Sequence, residues 1–259
     1  MLNILQEVCP DLNILCMSAP NFIERHFIKA LTDADSTMQM YKKYCTDYSF
    51  FKFKLKNTHK IALTGNLGSK QQVVLDAFHD RGYHIVNIDA KLFDIVCSPE
   101  VSKQFIKVLS ANGINPSDIV SISKTKVSFD QYKLLKASNE NSEVRSSFED
   151  IIFAAIQRII ATEVVGSHED KIVVNFSFLY ESELDTLFDE VICIHSTAES
   201  QMKNLIDEGM EIQYAAELCK AQFPIEDKVH KSDYILYSTK QTDELKSDVY
   251  EYVSSRKKF

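Results

Sequence analysis

The stretch Ile61-Ala62-Leu63-Thr64-Gly65-Asn66-Leu67-Gly68-Ser69-Lys70-Gln71-Gln72 constrains this chain more than any other. An apolar run enters a glycine-bearing turn, and Val74, Ala77 and Phe78 beyond it share one helical face. Strand, tight turn and helix N-terminus in that order are the parts of a phosphate-binding loop, whose backbone N–H groups cradle an anion. The candidate loop comprises Gly65, Asn66, Leu67, Gly68, Ser69, Lys70, Gln71 and Gln72.

The pattern continues downstream. A helix from Gln71 to about Arg81 stops at Gly82, and the run from Tyr83 to Asp89 predicts a second strand ending in an acid. Strand, helix and strand in so short a span make a βαβ unit, whose handedness rule sets the two strands parallel. Ile151, Ile152, Ala155, Ile156, Ile159 and Ile160 form the buried face of a helix over residues 148–165. Strands follow at 171–176, 190–195 and 233–237, with helices at 200–207, 213–221 and 241–254. Alternation of this kind predicts an α/β fold with a parallel central sheet covered on both faces. Residues 114–147, polar and rich in Ser, Lys and Asn, predict a partly helical excursion.

Residues 1–58 look like a separate extension. Phe22, Ile23, Phe27, Ile28 and Leu31 fall on one helical stripe, and a second helix is expected over 37–45. Phe51, Phe53 and Leu55 then alternate with Lys52, Lys54 and Lys56, the pattern of an edge strand whose lysines discourage unwanted pairing. The aromatic and apolar residues of this segment either cover their own domain or meet a protein partner.

Composition removes several classes of function. A net charge of -8 without a long basic run argues against nucleic-acid binding, which needs clustered Lys and Arg. The six cysteines are scattered, without a C-x-x-C pair or a histidine at zinc spacing. Reduced thiols and a cytoplasmic location are expected, with no metal site. His79, His84 and His195 lie at element ends and read as ordinary surface or packed histidines. The early acids Glu7 and Asp11 do not fit a secretory signal, and no apolar run reaches the roughly 18–20 residues that span a bilayer.

From residue 60 to about 239 the order of segments resembles the dephospho-CoA kinase family, P-loop enzymes of the nucleoside-monophosphate-kinase type. Residues 62–69 resemble the family's L-T-G-G-I-G-S-G-K-S opening, and Val86-Asn87-Ile88-Asp89-Ala90 resembles V-I-D-A-D. Asn175-Phe176-Ser177-Phe178-Leu179-Tyr180-Glu181 is similar to D-V-P-L-L-F-E, and Phe188-Asp189-Glu190-Val191 continues the match. The resemblance implies a three-layer P-loop kinase fold over residues 59–259, with a helical lid and CoA-type subdomain inserted at about 100–165.

The departures fall where the family's chemistry is expected. In the ungapped register Lys70 stands at the loop's last Gly, Gln71 at its Lys and Gln72 at its Ser/Thr, so the phosphate cation and the Mg²⁺-binding hydroxyl are both replaced. The second acid of V-I-D-A-D falls at Lys91, the lid arginines near Asn204 and Asp207, and the Asp and Pro of D-V-P at Asn175 and Ser177. Asp89 and Glu181 are the surviving acids. These losses imply a catalytically inactive pseudoenzyme that serves as a protein-binding subunit of a larger hetero-complex. It would need no cofactor, although residual ATP, ADP or CoA binding remains open to the loop. The alternative is an ATP-dependent kinase of dephospho-CoA or a related nucleotide with an atypical loop, using Asp89 as base and Lys70 as the phosphate cation.

Overall fold

The computed structural model describes residues 59–123, 127–166 and 169–256. The helices and lysine-faced strand expected in residues 1–58 lie outside them. Two compact units are distinguished, and the first is made of residues 59–160 and 171–259. The parallel sheet and the phosphate-loop segment belong to the first unit.

The expected βαβ unit is present as β1 (His59–Gly65), α1 (Gln71–His79) and β2 (His84–Asn87). The second strand is shorter than its apolar pattern suggests. Asn87 is extended, and its side chain accepts a hydrogen bond from the Ala90 N–H at 3.2 Å. It thereby caps α2 (Ile88–Cys97). Asp89 consequently sits in the first turn of a helix and not at a strand end. Ser98 caps α3 (Pro99–Ala111) in the same way, with proline at the helix start.

The polar segment expected to be partly helical contains an antiparallel hairpin of β3 (Val120–Ile122) and β4 (Val127–Phe129) before α4 (Gln131–Glu140). Three-residue strands carry too little alternation to be seen in sequence. The long helix α5 (Ser142–Gly166) begins several residues before the expected start, within its polar first turns. Then come β5 (Lys171–Asn175), β6 (Glu190–His195), α6 (Ala198–Asp207), α7 (Ile212–Ala221), α8 (Ile225–Lys231), β7 (Tyr234–Tyr237) and α9 (Thr242–Ser255).

The main sheet has the order β2-β5-β1-β6-β7, with every pairing parallel. Ile61, Leu63, Ile192 and Ile194 point to one face and pack with Val74, Leu75 and Phe78 of α1 and with Leu245, Val249 and Tyr252 of α9. Cys193, one residue out of phase, faces Lys228 and Ser232 on the α8 side, and burial pushes its thiol up to about 12 against the lowering effect of those two neighbours. Helices therefore cover both faces. Among the described residues, no helix is long and apolar enough to cross a membrane.

Register brings the site together. Asn175 pairs with Leu63 on one side and Asn87 on the other. The C-terminal ends of β1, β2 and β5 thus share one sheet edge, where open α/β sheets place their ligands. Helices pack beyond that edge. Phe105 of α3 stacks on Phe148 of α5 with ring centroids 4.0 Å apart, and Asn139 of α4 donates to Glu217 of α7 at 2.8 Å.

Candidate functional site

The turn after β1 folds as a tight loop because two glycines permit it. Gly65 has φ +139°, and a Cβ there would stand 2.6 Å from the Ile194 carbonyl oxygen of β6. Gly68 has φ +80°, with the Gln201 carbonyl and Leu205 of α6 each 3.0 Å from where a Cβ would be. Lys70 is also left-handed, at φ 60° and ψ 33°, immediately before α1. A position at the end of such a loop that demands left-handed backbone is a glycine position, which agrees with the ungapped register.

Side chains follow from that backbone. The Lys70 ammonium donates to the Lys240 carbonyl at 3.0 Å, beyond β7. The Gln71 amide lies back across the loop, donating to the Asn66 carbonyl at 3.2 Å and to Ser177 Oγ at 2.9 Å. Gln72 is exposed and bonds Asp76 one helical turn on, at 2.7 Å. The loop's own groups are also engaged. Leu67 N–H donates to Gln222 Oε1 at 3.2 Å, Ser69 N–H to the Asn66 carbonyl at 3.2 Å, and the Gly68 carbonyl accepts from the Asn204 amide at 2.6 Å. The buried hydroxyls of Thr64 and Ser69 have no hydrogen-bond partner.

Asp89 meets this loop through the segment after β5. Its carboxylate accepts from Ser177 Oγ at 2.6 Å, from Ser177 N–H at 3.0 and 3.1 Å, and from the Asn175 amide at 3.0 Å. Burial raises the Asp89 carboxyl above the usual carboxylate range, while the Ser177 and Asn175 bonds and the positive Lys228 pull it down. The structure therefore brings Asp89 and Gln71 to one residue, Ser177, and carries the Lys70 ammonium elsewhere.

Glu181 occupies a different position. Its side chain is 4% exposed and pairs at 2.9 Å with Lys228 of α8, itself wholly buried. Lys228 also donates to the Ser177 carbonyl at 2.6 Å, and Glu181 accepts from Phe223 N–H at 2.7 Å. Glu181 is thus a structural counter-ion beneath the site. Lys228 is a residue that sequence reasoning missed, although a signal exists. It lies three residues after Ile225, on the face of a short helix that must be buried. Gln222 and Asn204 escape notice as loop clamps because amide side chains carry no periodic signature.

A cavity of about 310 Å³ opens beside the loop, reached by Leu67 and Asp89 and walled mainly by apolar side chains such as Phe93, Phe105, Phe148 and Phe178. Its charged residues besides Asp89 are Arg145 and Glu149, paired at 3.1 Å. Arg145 also donates to the Ala221 carbonyl at 3.1 Å.

A five-stranded parallel sheet with helices on both faces and a loop of this shape after its central strand defines a P-loop kinase-like fold. Solved structures share it. The Thermus thermophilus protein TT1252 superposes with a TM-score of 0.61 at 15% identity, covering 78% of this chain and 99% of that one. The dephospho-CoA kinase from Campylobacter jejuni does so with a TM-score of 0.51 at 17% identity, covering 75% and 95%. The sequence profile described as Dephospho-CoA kinase matches residues 59–244, most of the chain, and the protein belongs to that family. Among curated relatives, the dephospho-CoA kinase of Carboxydothermus hydrogenoformans is 27% identical over 180 residues, 68% of this chain and 84% of its own length. That of Fusobacterium nucleatum is 22% identical over 192 residues, 71% and 92%.

Proposed function

We propose that this protein is a dephospho-CoA kinase homologue that keeps the acceptor cavity and has given up phosphoryl transfer. The observation that carries the reading is Gln71, which stands at the loop position of the phosphate-binding lysine and spends its amide on Asn66 and Ser177. A neutral amide cannot offset charge developing on a transferred phosphoryl group, and positioning plus electrostatics supply nearly all of that catalysis. The remaining loop chemistry agrees. Gln72 turns to solvent, Leu67 N–H is occupied, and Asn204 holds the loop where a lid cation would face it. These residues do not fit a magnesium-bound triphosphate. The cavity, with Arg145 and Asp89 in mostly apolar walls, suits a ligand of the CoA type, an expectation supported by what the relatives are named for.

The test is ADP release with ATP, Mg²⁺ and dephospho-CoA, alongside calorimetric titration with dephospho-CoA. The expected result is binding without turnover, weakened at least about tenfold by Ser138→Trp, which fills the cavity. Turnover that requires dephospho-CoA and disappears in Asp89→Asn would overturn it. That outcome would establish the second reading, an ATP-dependent kinase with an atypical loop, favoured by relatives that carry this name over most of their own length. The role of such a homologue would lie in the cytoplasm, in assembly with a protein partner through residues 1–58, whose sequence is rich in aromatic residues. Affinity capture with and without residues 1–58 tests this, and recovery of the same partners by both forms would exclude that segment as the contact.

A further inference from the structure

We propose that Ser177 is the positioning residue of the site, relaying hydrogen bonding from Gln71 of the loop to Asp89 at the cavity wall. Ser177 is fully buried, and its three polar groups make bonds to three different elements. Its N–H and Oγ hold Asp89 in α2, its Oγ also meets Gln71 in α1, and its carbonyl takes the ammonium of Lys228 in α8.

The direction of the relay is forced by chemistry. A carboxylate only accepts, so the Ser177 hydroxyl proton points at Asp89. Its lone pairs are then left for Gln71, whose Nε2 must face it because the same nitrogen also meets the Asn66 carbonyl, another pure acceptor. The chain Gln71 to Ser177 to Asp89 is therefore polarised one way, and each bond strengthens the next. Oδ2 of Asp89 receives the Ser177 hydroxyl, the Ser177 N–H and the Asn175 amide, whereas Oδ1 receives the Ser177 N–H. Oδ1 keeps accepting capacity in a residue that lines the cavity. The carboxylate is thus fixed with one oxygen tied inward, and anything that draws Gln71 away from Ser177 weakens the hold on it. Lys228 is the cation whose field reaches Asp89 from the far side of Ser177.

This relay belongs to the site described above but stands apart from whether phosphate is transferred, because Asp89 can be observed directly. The test is carbon-13 NMR titration of the aspartate carboxyls in the full chain, with Asp89→Asn identifying the signal. Ser177→Ala should move the Asp89 midpoint upward by about one pH unit, and Ser177→Thr should return most of it. Gln71→Leu should give a smaller upward shift when Ser177 is present and none in the Ser177→Ala background. A purely structural serine would lower stability without moving the midpoint. An unchanged midpoint in Ser177→Ala, or equal Gln71→Leu shifts in both backgrounds, would overturn the proposal. Since Gln71→Leu alters a partly exposed side chain, it reports even if Ser177→Ala folds poorly: no shift in that variant also refutes the relay.

Discussion

Replacing Lys228 by methionine removes a buried ammonium while keeping the length and apolar stem of the side chain. In the native fold this ammonium stands 2.9 Å from Glu181 Oε1 and 2.6 Å from the Ser177 carbonyl. At an effective dielectric of about 20, a pair of unit charges at that separation attracts by about 6 kcal/mol. Desolvation of both ions offsets part of this, yet after Lys228→Met the Glu181 carboxylate stays buried with the Phe223 N–H as its remaining partner among the described contacts. Breaking a buried pair from one side costs about 3–5 kcal/mol, a large share of a domain's stability. Urea unfolding followed by far-ultraviolet circular dichroism gives the loss directly. The companion variant Lys228→Met/Glu181→Leu removes both charges, and should recover at least half of it. A single-variant loss below about 1 kcal/mol, or a double variant no better than the single, would refute the view that Glu181 and Lys228 are counter-ions of one another.

Three smaller perturbations probe the loop and Asp89. Gly65→Ala should destabilise by at least about 2 kcal/mol in the same unfolding assay, because the new Cβ meets the Ile194 carbonyl at 2.6 Å on backbone that L residues avoid. Lys70→Gly should exceed Lys70→Ala in stability by about 1 kcal/mol, since both lose the bond to Lys240 and glycine alone relieves the φ of 60°. Asp89 has a raised carboxyl pKa in the fold, so the native state retains a proton that the unfolded chain releases, and folding takes up protons in that window. Its contribution should be fullest below its ordinary value of 3.8 and decline as pH rises to the folded value. Urea midpoints of the wild type minus those of Asp89→Asn should therefore fall with pH across that range, and a difference that rises would contradict the burial argument.

The fold was legible where apolar runs were long. β6 has the bounds its sequence pattern implies, α6 and α7 start two and one residues before expectation, and α9 is shifted by one residue at both ends, where polar caps blur the period. Reading failed where one residue's capping chemistry overrode a pattern. Ile88 and Asp89 continue an apolar strand run, but the Asn87 side chain satisfies the Ala90 N–H and turns the chain into a helix. The β3–β4 hairpin and α8 were too short to show a period. The sheet order β2-β5-β1-β6-β7 pairs strands far apart in the chain, which no local signal encodes.

The site was half legible, and its two halves differ in kind. Loop positions follow from backbone demand: a left-handed turn before α1 is required whatever residue stands there, so Lys70 could be placed by counting. Partnerships among side chains do not follow from counting. Asn175 and Ser177 read in sequence as losses from an acid and a proline, yet in the fold they are donors to Asp89. Proline has no N–H to give, and an aspartate at 175 would face Asp89 with like charge, so neither family residue could make these bonds. Gln71 fits the same exchange, because a lysine in its place would bring a cation to Ser177 Oγ, where an amide supplies a neutral donor. Positions 175 and 177 thus converge on one carboxylate, and Gln71, distant in sequence, joins them through Ser177. On the proposed reading these bonds serve to hold Asp89, whose carboxylate is bonded on both oxygens while Oδ1 of the neighbouring Asn175 amide stays without a partner.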